Sequence, residues 1–338
     1  MDKLRIYYII CLLFSSSIVA DSVDSVTKVA TAAANWLKLE TGTRAIGMGG
    51  AYTAAGNDVT GIPYNPASVS FVTGSQGFLS TVDYFAGITY NVLGYATNMS
   101  GIDYAGVHIF SLSSGDMDVT TEEYPDGTGE KFSMTAICLR GAYGRRVTNR
   151  LRIGVTAKYI KEQIYTTSMQ SFAMDIGSHF DTGIYGFQLG MSISNLGPEV
   201  KYEGDGLEIE CDDETASGYC AQITEFFPLP MTFRLGLANY IMGPESKIIP
   251  TKKHALLMSV DAINPIDYTL YGSMGMEYAY ADMFFVRAGT HFGHDTADMS
   301  LGTGLRINTK GFSVGLDYAY VNYGILDYTH QFGLNFQF

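Results

Sequence analysis

The feature that most constrains the fold is an alternation of apolar with small or polar residues, which recurs from about residue 78 to the end of the sequence. The segment HQFGLNFQF is the clearest case, with apolar side chains at Phe332, Leu334, Phe336 and Phe338. Successive side chains of a β-strand point to opposite faces, so this spacing gives one apolar and one polar face. Most of the chain is therefore predicted to form strands that are apolar on one side.

About fourteen such segments follow one another, each bounded by turn residues. They are residues 77–86, 88–97, 102–112, 132–144, 151–163, 168–181, 184–196, 230–242, 253–263, 268–280, 282–292, 297–308, 310–321 and 328–338. The 38 Gly, 24 Tyr and 19 Phe suit strands and tight turns better than helices. An even number of strands of this length is typical of a bacterial outer-membrane β-barrel.

The strands of a soluble β-sandwich also alternate apolar with polar residues. The lengths of the connections between strands are therefore needed to distinguish a sandwich from a barrel. If the first strand rises from the periplasm, five of the six periplasmic connections are short, whereas the two longest connections, 113–131 and 198–229, lie on the opposite side. Short turns on one side and long loops on the other are typical of outer-membrane barrels. The predicted fold class is all-β: a transmembrane antiparallel β-barrel of about 14 strands over residues 76–338, with an N-terminal plug segment.

Eight charged residues within the predicted strands fall on the face opposite the apolar stripe. They are Lys158, Asp175, Arg234, Asp261, Glu277, Arg287, Arg306 and Asp317. Lipid would disfavour each charge by several kcal/mol, so the lumen has to hold them. Four basic and four acidic residues favour a neutralised, hydrogen-bonded network over an ion-selective pore, with bracing of the lumen and a transport role both remaining open.

The N-terminus is typical of an export signal. Lys3 and Arg5 precede an apolar run over residues 6–14, and small residues precede Ala20, so residues 1–20 are predicted to be a signal peptide. No later segment offers eighteen consecutive apolar residues. Loss of two basic residues and one acidic residue would change the net charge from −13 to −14, and this acidity excludes nucleic acid as a partner.

Residues 21–75 lack the alternation and are dense in Gly, Ala and Asn. The interior of a fourteen-strand barrel is too wide for its own side chains to fill, so this segment is predicted to be a periplasmic or lumenal plug. The candidate plug residues are Arg44, Gly47, Gly49, Gly50, Asn65 and Pro66. A nucleotide-binding loop is the alternative, but Tyr52 occupies the position of its third glycine and no lysine-serine pair follows.

Two cysteines lie close together in CDDETASGYC. In an oxidising compartment Cys211 and Cys220 are candidates for a disulfide, with free thiols or a metal site as alternatives. Cys138 is interpreted as a small buried residue of a strand.

Two patterns resemble catalytic or metal sites. Residues 311–315 have the spacing of a nucleophile elbow, but they lie within an alternating strand instead of a strand-to-helix turn. His291 and His294, with Asp295 and Asp298, are either a metal site on an outer loop or, as we favour, a solvated hairpin. We therefore predict no enzymatic activity, no cofactor and no metal.

The connection 198–229 is strongly acidic. It holds Glu199, Glu203, Asp205, Glu208, Glu210, Asp212, Asp213, Glu214 and Glu225 against the single basic residue Lys201. Calcium or a basic partner domain would suit this charge, and plain solvation of an exposed loop explains it as well.

Several stretches together resemble the PorV/PorQ family, which is related in architecture to the FadL outer-membrane fatty-acid transporters. The most specific is WLKLETGTRAIGMGGAYTAAGNDVTGIPYNPAS, followed by LRIGVTAKYIKEQI, FAMDIG, GMSISNLGP, LPMTFRLGLANY, VRAGTHFG and GLDYAYVNYGILDYTHQFGLNF. The resemblance covers nearly the whole mature chain and implies a location in the bacterial outer membrane.

The resemblance also implies a function in type IX secretion, in which the barrel binds exported proteins and passes them on for attachment at the surface. The alternative is a FadL-like passive transporter of hydrophobic small molecules, which predicts an apolar pocket beside the plug and a lateral gap in the wall. The implied partners are outer-membrane lipid and secreted cargo proteins or other secretion components.

Overall fold

The computed structural model describes residues 28–29, 31–210, 219–221, 224–294 and 299–338. The predicted signal peptide, residues 1–20, lies outside the described residues, as does the start of the predicted plug segment up to residue 27. Among the described residues, no helix is long and apolar enough to cross a membrane.

Fourteen long strands form one closed antiparallel barrel. They are β1 (Ser75–Asp83), β2 (Thr89–Asn98), β3 (Asp103–Ser113), β4 (Met134–Arg146), β5 (Leu151–Ile164), β6 (Thr167–Asp181), β7 (Gln188–Leu196), β8 (Thr232–Gly243), β9 (His254–Pro265), β10 (Tyr271–Tyr280), β11 (Phe284–Phe292), β12 (Met299–Thr309), β13 (Phe312–Asn322) and β14 (Tyr328–Gln337). Each strand pairs with its neighbours in the sequence, and β1 pairs with β14 through Gln76 opposite Gln337, which closes the barrel. The predicted fold class is confirmed.

The alternation in the sequence becomes the two faces of the wall. In β14, Phe332 is 52% exposed on the outside, whereas its neighbour Gln331 is 2% exposed on the inside. Apolar side chains cover the outer surface of the other strands in the same way, so the barrel presents hydrocarbon-compatible residues to lipid.

The ends of the barrel differ in their connections. β1 begins and β14 ends at the side that carries turns as short as 99–102, 281–283 and 310–311, and we assign this side to the periplasm. The outer end carries the two long connections, 114–133 and 197–231. Within 197–231, Glu203–Gly204 adds a short ladder to the outer part of β6, and Val200 bridges to Phe227.

Residues 31–74, which we call the plug, lie inside the barrel before β1 begins. The plug consists of one short helix, α1 (Thr43–Gly47), and 3-10 turns at Asn35–Lys38, Val59–Gly61 and Pro66–Phe71. Nearly every residue from 41 to 72 is buried, although few of them are large and apolar.

Glycines on the inner face of the wall make room for the plug. Eleven strands each carry a glycine at which a Cβ atom would meet plug atoms: Gly94, Gly106, Gly144, Gly154, Gly177, Gly190, Gly236, Gly275, Gly289, Gly302 and Gly333. At Gly302 the added Cβ would lie 3.0 Å from the Cα of Gly47. The plug backbone therefore packs directly on the wall, which larger inward side chains would prevent.

Candidate functional site

The periplasmic half of the lumen holds the plug by a chain of buried ion pairs. Arg44, in α1, donates from Nε and Nη2 to the two carboxylate oxygens of Glu277 on β10, at 2.8 and 2.7 Å. Its Nη1 donates to the side chains of Asn57 and Asp58 within the plug, at 2.7 and 2.8 Å. Arg44 thus joins two parts of the plug to the wall through a bidentate contact.

The wall continues the same chain of charges. Glu277 Oε2 also accepts from Arg287 Nε at 2.6 Å, and Arg287 Nη1 donates to Asp317 Oδ1 at 2.6 Å. Asn335 on β14 donates to the second oxygen of Asp317. We call Arg44, Asp58, Glu277, Arg287 and Asp317 the plug clamp. Because each arginine of the clamp meets two carboxylates, the clamp holds buried charge without leaving either cation unpaired.

The Asp58 carboxylate is held in its charged form. Burial opposes ionisation, but the Arg44 guanidinium and hydrogen bonds from Thr60 and Tyr52 outweigh burial and lower the pKa of the Asp58 carboxyl. Asp58 also precedes the turn Val59–Gly61 and accepts from the backbone N–H of Thr60 at 3.0 Å. The same carboxylate therefore starts a turn of the plug and anchors Arg44.

The other predicted lumen charges form separate contacts. Lys158 pairs with Asp175 at 2.7 Å across β5 and β6. Asp261 accepts from the backbone N–H of Thr53 in the plug at 2.8 Å. Arg234 makes no ion pair within the described part of the chain, and its guanidinium lies over the Tyr64 ring at 5.4 Å. The eight residues are therefore divided among several clusters instead of forming one continuous network.

Arg306 lies apart from the interior charges. Its side chain is 33% exposed and pairs with Asp282, in the periplasmic turn 281–283, at 3.1 Å. Arg306 lies near the rim of the barrel, where water competes for its charge.

The remaining candidate plug residues shape the backbone. Gly49 and Gly50 have φ angles of +61° and +66°, and a Cβ at Gly49 would lie 2.7 Å from the backbone N of Thr290. Asn65 caps the turn that Pro66 begins and donates from Nδ2 to the backbone of Thr53 and of Ser178. These residues let the plug fold tightly and approach the wall closely.

The outer end of the lumen is open and mostly apolar. A cavity of about 630 Å³, here called the outer cavity, lies between the plug and the outer ends of the strands. Its lining includes Ala33, Trp36, Tyr84, Phe85, Leu112 and Phe227. A volume of this size suits a small organic ligand or the side chains of a partner protein.

A few polar contacts fix the walls of the outer cavity. The Trp36 indole N–H donates to Glu162 on β5 at 2.6 Å, and the Tyr202 hydroxyl donates to the other oxygen of Glu162 at 2.9 Å. Burial raises the pKa of Tyr84 to about 12, so this phenol is neutral at physiological pH. The cavity therefore presents aromatic surface, and the polar groups of Trp36 and Tyr202 are engaged with Glu162.

A second cavity of about 340 Å³ lies on the other side of the turn Asn35–Lys38 and is lined by Pro265, Tyr268, Tyr271 and His294. Both cavities share Asn35 and Leu39. Lys38 anchors the turn between them through Asp267, at 2.6 Å.

The residues suspected of metal or catalytic chemistry lie at scattered positions. His291 Nε2 is 3.0 Å from Glu40 Oε1 in the plug, whereas Asp295 and Asp298 lie outside the described residues. Within the described ranges, no group of three or more potential metal ligands occurs. Ser313 lies in β13 and donates to the side chain of Asn308 at 2.7 Å.

Cys211 and the side chain of Cys220 lie outside the part of the chain that the structure describes, so the candidate disulfide remains a prediction. Cys138 is a free, buried thiol on β4.

Sequence reasoning missed two features of the site. Each inward glycine can be recognised in the sequence because it lies on the polar face of its strand. The role that these glycines share cannot be recognised there, because it depends on the path that the plug takes through the lumen. The contact between Trp36 and Glu162 joins residues 126 positions apart. The sequence offered one sign that Trp36 is important: it is the single Trp of the chain, and it lies in the segment that lacks the alternation.

Comparison with known proteins gives one family and one fold. The family model described as Type IX secretion system protein PorV matches residues 22–220. A search of curated protein sequences found no match.

Solved structures of outer-membrane channels share the fold. The Ralstonia pickettii toluene transporter TbuX aligns with a TM-score of 0.55 at 11% identity, covering 88% of this chain and 98% of that one. The Pseudomonas putida toluene transporter TodX gives 0.55 at 13% identity, covering 88% and 97%. A Pseudomonas aeruginosa FadL homologue gives 0.55 at 12% identity, covering 88% and 98%. At these identities the likeness concerns the fold alone.

Proposed function

The chain belongs to the PorV family of type IX secretion system proteins and lies in the bacterial outer membrane, and from that premise we propose that it binds exported proteins at its outer cavity and passes them on for surface attachment. The observation that carries the proposal is the contrast between a filled lumen and an open outer end. Residues 31–74 occupy the interior, so a polypeptide has no free route through it.

Buried contacts on two sides hold the plug in this position. Arg44 binds Glu277 at the periplasmic half of the lumen, and Lys38 binds Asp267 near the outer end. Removing the plug would separate these pairs and expose their charges in the lumen, which is costly. A barrel that keeps its plug meets exported proteins at its outer end.

The outer end has the chemistry of a protein-binding surface. The outer cavity offers aromatic pockets of the kind that anchor a partner's apolar side chains. The connection 197–231 rises beside it with exposed Glu199, Glu203 and Asp205. An apolar centre with an acidic rim suits a cargo segment that presents apolar residues flanked by basic ones.

The test is capture of cargo from the native membrane. The mature protein is purified in detergent with its bound partners, and recovery of surface proteins that share a common C-terminal domain is expected. A variant that lacks residues 199–225 is expected to lose these partners while its folded band still shifts on heating in a gel. In the matched control, a Gly-Ser linker of equal length replaces residues 119–129 of the other long connection, and capture is retained.

Equal recovery with and without residues 199–225 would contradict the assignment of this connection to cargo binding. Recovery of lipid alone from the unaltered protein would contradict the cargo proposal as a whole.

The outer cavity also supports a second candidate, passive transport of hydrophobic small molecules. Its volume and aromatic lining suit such a ligand, and the neighbouring folds include toluene transporters. In addition, β7 ends at Leu196 and its register with β6 shifts between Met174 and Ile176. The outer part of β6 stays paired with β5, but on its other edge it pairs only with Glu203–Gly204 among the described residues. We infer that a path to lipid would open here.

Proteoliposomes loaded with labelled toluene separate the two candidates. Release faster than from protein-free vesicles, and slowed by a Leu112→Trp substitution that fills the cavity, would support transport. Release equal to that of protein-free vesicles would leave cargo binding as the function.

A further inference from the structure

A small polar pocket lies where the plug meets the middle of the wall, away from the plug clamp and the outer cavity. Its lining comes from both partners, with Leu37, Lys38, Leu39, Glu40, Pro63 and Tyr64 from the plug and Arg140, Lys158, Ser194, Asn195, Thr232 and Arg234 from strands. We call it the basic pocket.

Two arginines of the basic pocket are buried without a carboxylate partner. Arg140 is 5% exposed and Arg234 is 7% exposed. The Nε of Arg140 and both the Nε and Nη1 of Arg234 are buried and have no hydrogen-bond partner among the residues that the structure describes. A buried donor left without a partner costs about 1–3 kcal/mol, and more when it is charged.

The partner of Arg140 does not neutralise it. Arg140 Nη1 lies 3.0 Å from His108 Nδ1, and because an arginine can only donate, this nitrogen of His108 must accept. His108 is then neutral, with its proton on Nε2. In addition, Lys158 stands directly opposite Arg140 in the ladder between β4 and β5, which brings two cations side by side.

The carboxylates around the basic pocket are already engaged. Asp175 pairs with Lys158 at 2.7 Å, and Glu40 contacts His291 at 3.0 Å. Asp267 pairs with Lys38 at 2.6 Å. Asp261, on the strand beside Arg234, accepts from Thr53 and lies beyond ion-pair distance of that arginine. Among the described residues, no acid therefore lies within ion-pair distance of Arg140 or Arg234, although one oxygen each of Asp175, Asp261 and Asp267 is buried without a hydrogen bond.

We propose that the basic pocket binds a small monovalent anion of the chloride class, held between Arg140 and Arg234 at the contact of plug and wall. The space inside the pocket is about 20 Å³, which is room for one or two water-sized species. A monatomic anion such as chloride suits this space better than the larger tetrahedral or organic anions. The anion supplies the negative charge that neither guanidinium group has beside it and an acceptor for Arg140 Nε and for Arg234 Nε and Nη1.

Because plug residues form half of the pocket, the anion also stabilises the seated plug. Binding to the folded state alone raises stability with anion concentration. The effect is specific to the ion, in contrast to general screening, which depends on ionic strength.

The test uses the full mature protein in detergent at constant ionic strength. Thermal unfolding, followed by the gel shift of the folded band, is measured in sodium chloride, bromide, sulfate and gluconate. We expect a midpoint that is higher by about 2 °C or more in chloride and bromide than in gluconate or sulfate. In Arg234→Gln this difference is expected to vanish, and in the control Lys201→Gln, an exposed residue of the connection 197–231, it remains.

Crystals grown in bromide provide a measurement that does not depend on the variants folding. An anomalous peak within hydrogen-bond distance of Arg234 Nε or Arg140 Nε is expected. Absence of that peak, or a midpoint that is the same in all four salts, overturns the proposal. Stabilisation by sulfate that equals that by chloride and is likewise lost in Arg234→Gln overturns the choice of a small anion, because the general stabilisation by sulfate does not depend on Arg234.

Discussion

The two ends of the plug are packed in opposite ways. At the periplasmic half, Arg44 and Arg287 each reach two carboxylates, and backbone meets backbone at glycines such as Gly289. At the outer end, Trp36 and its neighbours leave a cavity of about 630 Å³ against aromatic walls. The same segment is thus packed tightly at one end and lines an open cavity at the other, which supports the proposal that recognition takes place at the outer end.

The largest effect should come from breaking the plug clamp. Glu277→Gln removes the charge that two buried arginines share, so we expect a loss of about 3–5 kcal/mol in the free energy of unfolding. Urea unfolding followed by the gel shift measures it. Glu203→Gln, the same change in an exposed pair with Lys201, serves as the control and should cost under about 0.5 kcal/mol. Equal losses of unfolding free energy in both variants would mean that the plug clamp is no more important for stability than an exposed ion pair at the outer end.

A side chain added to the inner wall should act almost as strongly. A Cβ at Gly289 would overlap the backbone of Met48 and Gly49, so Gly289→Val should displace the plug, cost about 1–3 kcal/mol and speed proteolysis within residues 31–74. Gly141→Val is the control on another strand, because a Cβ there meets nothing within 4 Å. If protease cuts both variants at the same rate, the close fit of plug to wall is unimportant.

A change at the outer end should be milder. Trp36→Phe keeps the aromatic surface of the outer cavity but removes one of the two donors to Glu162, while Tyr202 continues to donate. We expect a loss of about 1–2 kcal/mol in the free energy of unfolding, measured by the gel shift in urea. A loss as large as that of Glu277→Gln would mean that the outer end is as tightly fixed as the plug clamp.

The smallest effect is expected at the periplasmic rim. Arg306→Gln removes a partly exposed ion pair with Asp282, which should cost less than about 1 kcal/mol, and the cost should fall further in high salt. Unfolding curves at low and high salt measure this. A large loss in the free energy of unfolding that does not depend on salt would mean that Arg306 stabilises the barrel as strongly as the plug clamp does.

The sequence predicted the wall well because each strand carries its own local signal. The alternation at 328–338 is enough to place β14 at Tyr328–Gln337, and the charged residues fall on the inner face for the same reason. The pairing of those charges could not be predicted. Glu277 meets Arg44 only because the plug folds back to within reach of β10, 233 residues away in sequence. The plug has no periodicity from which that path could be read.

The closure between β1 and β14 bears on how the protein is made. Ser75, the first residue of β1, and Phe338, which follows β14, exchange backbone hydrogen bonds of 3.1 and 2.9 Å. The ring of strands is therefore complete only after β14 has been synthesised and exported, whereas the plug precedes every strand of the barrel in the sequence. The strands therefore have to close around a plug that has already been synthesised. The order of assembly, as well as the final contacts, determines what the lumen contains.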